Sequence, residues 1–442
     1  MLVVLNKILL ARTAATSVAQ SLIMKVLNLA LSLGSGMITA RALGPAGRGE
    51  QSAIVLLPYL VTGLAGFGIA PALLYYTSRN RSSEGGLLFA ASLLALATGL
   101  AGALVGSLLV PYYLGRYPQD VIHAAKLTML FAPAMMVGYV FRANLEARGE
   151  FTASNASRVW PFLFTLLILA SLWGIHRLTP FTAALAFFGP MAAQSIWLGH
   201  DLLPRFTFDL RTVTRDSRTL LSYGLRTYGT DVFSTLSTQV DFAFIVTFLP
   251  PASLGLYAVA MAAARQLTLV QLSLNMVLVP KASALEFDSA LALVGRMSRI
   301  SNLVMVIGSL VSLAVIPLLI PIVYGKPFDA AALIARILII ETFLMGAASV
   351  LAQAFNATGR PGIVSMFQAG WIVTTTVFLI ALVPRLGLSG AATALALSSL
   401  VRLLATLACY PLVLHAPVPR LVPIAADIKY LLSKIESYRR HR

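Results

Sequence analysis

"RALGPAGRGE", residues 41–50, sets three glycines, a proline and two arginines between two long apolar runs. Such a stretch reads either as a glycine-rich phosphate cradle or as a tight turn between helices. The choice separates a nucleotide enzyme from a membrane transporter. A phosphate cradle of the P-loop type ends in Lys-Ser/Thr and follows a strand. No such pair follows here, Pro45 has no N–H to offer a phosphate, and helical apolar runs flank the stretch on both sides. Gly44, Gly47 and Gly49 are therefore read as the residues that let the chain reverse at a membrane face.

Composition agrees with that choice. Hydrophobic residues make up 58% of the 442 and charged residues only 11%, where a soluble domain carries about 25% charged residues. So few charges cannot cover a water-exposed surface. The apolar runs are continuous rather than alternating, which favours helices over a transmembrane β-barrel. Cys409 is the sole cysteine and has no partner for an intrachain disulfide. The N-terminal "MLVVLNKILLARTAATS" is interrupted by Lys7 and Arg12, so it reads as an interfacial segment rather than a cleaved signal.

A membrane span needs about 20 mostly apolar residues. Twelve such helices are predicted, near 18–40, 52–77, 87–110, 122–143, 158–176, 181–200, 219–248, 253–280, 300–323, 331–355, 363–384 and 388–413. The fold class is thus an all-α polytopic membrane protein. With the N-terminus inside, the outer loops hold only Arg41, Arg48, Arg116, Arg177, Lys326 and Arg385. The remaining placed Lys and Arg lie on the inner side, a roughly threefold bias in the sense of the positive-inside rule. Both termini are predicted to be cytoplasmic, and the net charge of +17 reports topology rather than nucleic-acid binding. The basic tail, 415–442, reads as an amphipathic segment on anionic headgroups.

The chain also repeats itself. "LLVPYYLGRYP" (108–118) aligns with "LLIPIVYGKPF" (318–328) at an offset of 210, and the same offset carries Lys126 onto Arg336 and Gly149 onto Gly359. The opening stretch has a copy at an offset of 206: "LGPAGRGEQ" (43–51) aligns with "LPPASLGLY" (249–257), pairing Pro45 with Pro251 and Gly49 with Gly255. Each half holds six helices, so the expected lobes are 1–205 and 206–414, parallel repeats about an axis along the membrane normal. Facing bundles of this kind enclose a central cavity where transporters bind cargo.

Polar residues within spans are costly and usually face the bundle interior. In the first helix Lys25, Asn28, Ser32 and Ser35 share an arc of about 80°. In the seventh, Arg226, Thr230, Ser234, Ser237 and Asp241 share one stripe. The 206 offset maps Lys25 onto Asp231, Asn28 onto Ser234 and Ser35 onto Asp241, so the two polar faces coincide. Lys25 and Arg226 are candidates to meet an anionic cargo, with Asp231 and Asp241 pairing with them or holding a coupling cation. The bland reading is mutual satisfaction, or snorkelling of the cations to headgroups. Arg265, Arg402 and Glu341 are the other deep charges. Gln194, Gln239, Gln271 and Asn275 suit interhelical hydrogen bonding as well as they suit ligands. The histidines show no metal spacing and no ATP-binding signature occurs, so neither enzyme activity nor a cofactor is expected.

Residues 41–76, "RALGPAGRGEQSAIVLLPYLVTGLAGFGIAPALLYY", resemble the first loop and second helix of polysaccharide flippases of the multidrug/oligosaccharidyl-lipid/polysaccharide (MOP) exporter superfamily, in its O-antigen flippase branch. "LEARGEFTASN" (145–155), "FNATGRPG" (355–362) and "PIVYGKPFDAA" (321–331) are similar to loop signatures of the same family. The resemblance implies two six-helix lobes that open alternately to either side of the cytoplasmic membrane. It also implies a cargo of sugars on a polyprenyl pyrophosphate, with Lys25, Arg226, Arg265 and Arg402 suited to its negative charge. Sodium or a proton is the implied coupling ion and membrane lipid the surroundings, with no nucleic acid. Lipid II flippases of the superfamily carry two further helices for which this chain has no room. Two other readings stay open: a cation-coupled drug exporter of the same superfamily, and a non-transport scaffold of a polysaccharide assembly complex.

Overall fold

A computed structural model describes residues 14–207, 211–268, 271, 275, 278 and 281–422. The interfacial segment with Lys7 and Arg12, and most of the basic tail, lie outside the described residues. The regular secondary structure of the described residues is helical, with no strand among them. The helical run Ala14–Leu64 breaks at Gly44 (φ 67°) into α1 (14–43) and the first part of α2 (45–64), which resumes as Ile69–Arg79. Then follow α3 (Glu84–Tyr113), α4 (Gln119–Ala147), α5 (Phe151–Gly174), α6 (Pro180–Leu202), α7 (Val213–Phe248), α8 (Pro251–Ala264), α9 (Phe287–Tyr324) and α10 (Ala331–Ala357). The run Pro361–Cys409 breaks at Gly387 (φ 58°) into α11 (361–386) and α12 (388–409).

Among the described residues, eight helical stretches are long and apolar enough to cross a membrane, and two of these contain a glycine break. Those two hold α1 with α2 and α11 with α12. With α7 and α8, which are more polar or only partly described, the segments correspond to the twelve read from sequence. The lipid-facing surface explains the composition: Leu100, Leu104 and Leu108 on α3, and Leu310, Leu318 and Ile322 on α9, are all more than half exposed. In water such patches would mark a docking site or an aggregation hazard, and in a bilayer they face hydrocarbon.

Several boundaries differ from the sequence expectation: α9 begins at Phe287 rather than near 300, and α5 at Phe151 rather than near 158. The second helix begins at Pro45 rather than near 52, because proline at the first helical position has its φ preset and no N–H to leave unpaired. Of the three glycines in the opening stretch, only Gly44 has positive φ. The second helix is also interrupted at 65–68, where Phe67 (φ 44°) and Gly68 (φ 68°) leave the helical region.

The chain divides into two compact units, Met1–Ala258 and Val259–Arg442. The core of the first is built from Ile69 and Leu73 of α2, Leu88 of α3, Met136 and Val140 of α4, Leu198 of α6 and Leu220 of α7. A smaller cluster joins Ile38 of α1 to Leu169 of α5 and Ala183 of α6. The core of the second unit gathers Val294 of α9, Leu351 and Phe355 of α10, Phe367 of α11 and Leu403 of α12.

The internal repeat is visible in backbone hydrogen bonds. Gly149 (φ 77°) and its copy Gly359 (φ 75°) both end their helices in the left-handed region. After each, the next N–H returns five residues, Glu150 to the Leu145 carbonyl at 2.9 Å and Arg360 to the Phe355 carbonyl at 2.7 Å. The two helix ends therefore share one Schellman-type cap at the 210 offset.

Candidate functional site

In the first unit α2, α3, α4, α5 and α7 surround a cavity of about 660 Å³. Its position follows from how α2 meets α7. Gly63 lies so close to Thr235 that a Cβ there would run into the threonine side chain. The Tyr228 hydroxyl donates to the Leu64 carbonyl, and Phe67 packs on the Tyr228 ring at 5.1 Å between centroids. The break in α2 thus holds Thr62, Gly63 and Gly66 against Asp231, Ser234 and Thr235 on the wall of the cavity.

The opposite wall carries charge from α4 and α5. Arg142 lies on the Tyr139 ring, 4.6 Å from its centroid, and its Nη1 donates to Gln194 Oε1 at 3.1 Å. Arg158 pairs with Glu146, which also accepts from the Ser154 hydroxyl at 2.8 Å. The cavity therefore combines two guanidiniums, one of them paired, with a half-buried Asp231 and walls of Ile69, Leu74, Ala95, Met136 and Val140. Such a mixture can bind an anionic or sugar-like group while the apolar walls exclude much of the competing water.

The sequence candidates are distributed unevenly. Asp231 and Ser234 line the cavity. Lys25 is half-buried on α1, near Asn28 and Ser35, whose Oδ1 and Oγ are buried without hydrogen-bond partners among the described residues, and Ser32 is exposed. Arg226 is exposed on α7. Asp241 is 1% exposed and accepts from the Tyr257 hydroxyl at 2.6 Å, so its environment is packed protein. In the second unit Arg265 lies in a 3-10 turn, and Arg402 is half-buried with its Nε lacking a partner among the described residues. Glu341, 3% exposed, accepts from Ser399, which in turn accepts from Trp371. Gln271 and Asn275 bridge to Thr342 and Ser349 of α10, as interhelical residues do. Among the described residues no group of three His, Cys, Asp or Glu is placed to hold a metal ion.

In the sequence Arg142 and Arg158 read only as inner-side positive charges, and Glu146 only as a loop residue. The signal that could have found Arg142 is its place inside the helix "APAMMVGYVFRANLEA", a full turn before the end.

Residues 38–333, two thirds of the sequence, match the family described as polysaccharide biosynthesis protein. The chain belongs to this family. No curated protein matches the sequence. Solved structures match the fold. A lipid II flippase MurJ in an inward closed conformation superposes with a TM-score of 0.71 at 14% identity, covering 87% of this chain and 86% of that one. An inward-facing multidrug resistance MATE family transporter of the MOP superfamily superposes at 0.68 with 13% identity, covering 86% and 92%. A MATE in the straight conformation superposes at 0.57 with 15% identity, covering 88% and 94%. This member of the polysaccharide biosynthesis family is therefore a multi-pass membrane protein with the two-lobed helical fold of those transporters.

Proposed function

We propose that the protein is a flippase that carries a lipid-linked oligosaccharide on polyprenyl pyrophosphate across the cytoplasmic membrane by alternating access, for surface polysaccharide biosynthesis. Its lobes are 1–205 and 206–414, with 415–442 a basic tail, and both termini lie in the cytoplasm. The observation that carries this reading is the cavity holding Arg142 and Arg158 between apolar walls, in a family of polysaccharide biosynthesis proteins. An amphiphile with a doubly charged phosphate head needs such a site, because guanidiniums offer paired donors to phosphate oxygens. Asp231 and Ser234 on the facing wall suit sugar hydroxyls. Lys25, Asn28 and Arg226 in the first unit, and Arg265 and Arg402 in the second, are further polar or cationic candidates to meet the cargo, and a sodium ion or proton drives the cycle. No reaction is catalysed.

A second reading, cation-coupled drug export, is favoured by the likeness to MATE transporters. Deletion in the native host separates the two. Lipid-linked sugars accumulating on the inner leaflet, with loss of surface polysaccharide, support the flippase. Normal surface polysaccharide with new drug sensitivity overturns it in favour of the exporter.

A further inference from the structure

Helices α5 and α6 are joined by a short turn, and α6 begins under firm local control. Thr179 caps α6 through reciprocal bonds with Thr182, and Pro180 follows at the first helical position. Between the two helices runs an apolar groove of about 870 Å³, lined by Trp160, Phe164 and Ile168 of α5 and by Gly189, Ala193 and Trp197 of α6. On α5 its walls extend from Ser157 to Leu172, a rise of about 22 Å at the α-helical 1.5 Å per residue. That is most of a hydrocarbon core of about 30 Å. The floor is open at Gly189, where a Cβ would meet no atom within 4 Å.

One end of the groove is polar, and it touches the charged cavity. Gln194 lines the groove and is 8% exposed. Its Oε1 accepts from Arg142, which lines the cavity. Arginine has donors only, so the amide oxygen must face it and the amide nitrogen must face away. That Nε2 is buried and has no hydrogen-bond partner among the described residues. A buried amide donor beside a guanidinium calls for an acceptor, and the nearby positive charge favours an anionic one. Ser157, at the same end, precedes Arg158 of the cavity wall.

The internal repeat supplies a contrast. At the 210 offset Pro161, which lines the groove, corresponds to Trp371 of α11. Trp371 is 3% exposed and donates to Ser399 of α12 at 3.4 Å. The second copy places a large ring, bonded across the helix pair, where the first has a proline in a groove wall.

We propose that the α5–α6 groove is the binding site for the isoprenoid tail of the cargo, with the pyrophosphate at the Arg142–Gln194 junction and the sugars in the 660 Å³ cavity. This assignment rests on the flippase reading. The groove matches a long run of apolar chain, its charged end matches a phosphate head, and continuity between groove and cavity through Gln194 and Arg142 joins the two in one ligand.

The test measures binding to the full-length protein in phosphatidylcholine nanodiscs. The probes are undecaprenyl pyrophosphate, uncharged undecaprenol, and inorganic pyrophosphate. Gly189→Trp fills the groove from its floor, and Ala193→Phe fills it from the exposed side should the first variant not fold. The expected result is that either variant weakens undecaprenyl pyrophosphate by about tenfold or more while leaving inorganic pyrophosphate unchanged. Gln194→Leu should weaken both charged probes. If the filled variants bind undecaprenyl pyrophosphate as the wild type does, the groove assignment falls and the flippase reading stands. If wild-type protein binds undecaprenyl pyrophosphate no better than empty nanodiscs do, both fall. Undecaprenol binding as tightly as the pyrophosphate, or displacement by excess phosphatidylglycerol, overturns the head-group assignment and leaves an ordinary lipid groove.

Discussion

Gly49 and Gly255 pack backbone against backbone, and the contact is reciprocal. A Cβ built on Gly49 would lie 3.0 Å from the Gly255 nitrogen and run into the Pro251 carbonyl. One built on Gly255 would lie 3.0 Å from the Gly49 nitrogen and run into the Pro45 carbonyl. The two glycines are equivalent in the repeat, as are the two prolines, so each copy of the turn presents the same surface to the other.

Gly49→Ala and Gly255→Ala should therefore each destabilise the fold, because the obstacle is backbone and cannot rotate aside. A cost of about 1–3 kcal/mol is expected from overpacking. Gly36→Ala is the control: it is helical, a Cβ there meets nothing within 4 Å, and it should be neutral or gain about 0.5–1 kcal/mol. Thermal unfolding of detergent-solubilised protein checks this. Equal melting temperatures for all three variants would remove the close-approach argument.

Arg142→Ala should abolish surface polysaccharide per molecule of membrane-inserted protein. It removes a guanidinium from the cavity and leaves Gln194 with both ends of its amide unpaired. Arg142→Lys should rescue poorly, since an ammonium lacks the planar fork that lies on Tyr139 and reaches Gln194. Full complementation of a deletion strain by Arg142→Ala would show that the charge has only a topological role.

Glu84, 5% exposed, takes hydrogen bonds from Asn144 at 2.9 Å and Arg148 at 3.4 Å, tying the start of α3 to the end of α4. Arg148 also bonds Glu150 at 2.6 Å, and that bond holds its guanidinium above its ordinary pKa. A raised folded-state value means that stabilisation is complete below the unfolded pKa and fades only as pH climbs past it. The Arg148 contribution is thus flat across the physiological range. Glu84→Ala should cost about 1–3 kcal/mol by stranding a buried amide, and Glu84→Gln less. Melting temperatures of the three proteins at neutral pH decide it, and an unchanged value for Glu84→Ala would refute the tie.

Much of this fold was legible because its determinants are local. Apolar runs of span length, the Pro45 and Pro251 turns and the glycines at 149 and 359 each act through their own backbone. The break in α2 was also written locally, in the glycines at 63, 66 and 68, but a continuous apolar run hid it. The site was less legible. An arginine one turn from a helix end reads the same whether it snorkels or lines a cavity. For Arg142 the difference lies with Gln194, 52 residues further on and on another helix. Helical phase also told little about depth. Asp231 and Asp241 lie ten residues apart on α7, yet one lines a cavity and the other is enclosed by Tyr257 and its neighbours.

That divergence on α7 separates two roles that the repeat alone would make equal. Asp241 is 1% exposed and bonded to a tyrosine that is itself fully buried. Removing either partner takes a buried hydrogen bond to a charged group out of the core, at about 1.5–3 kcal/mol. Tyr257→Phe and Asp241→Ala should both lower the melting temperature and the amount of inserted protein. Any loss of polysaccharide in them should scale with that amount. Asp231→Ala should leave stability and protein level near wild type while reducing transport, because a cavity carboxylate gives up no packing when truncated. Lys25→Ala is expected to behave in the same way. Surface polysaccharide normalised to inserted protein distinguishes the two classes. Normal transport per molecule in Asp231→Ala and Lys25→Ala would exclude both from the cargo path, and a stable but inactive Asp241→Ala would return that residue to it.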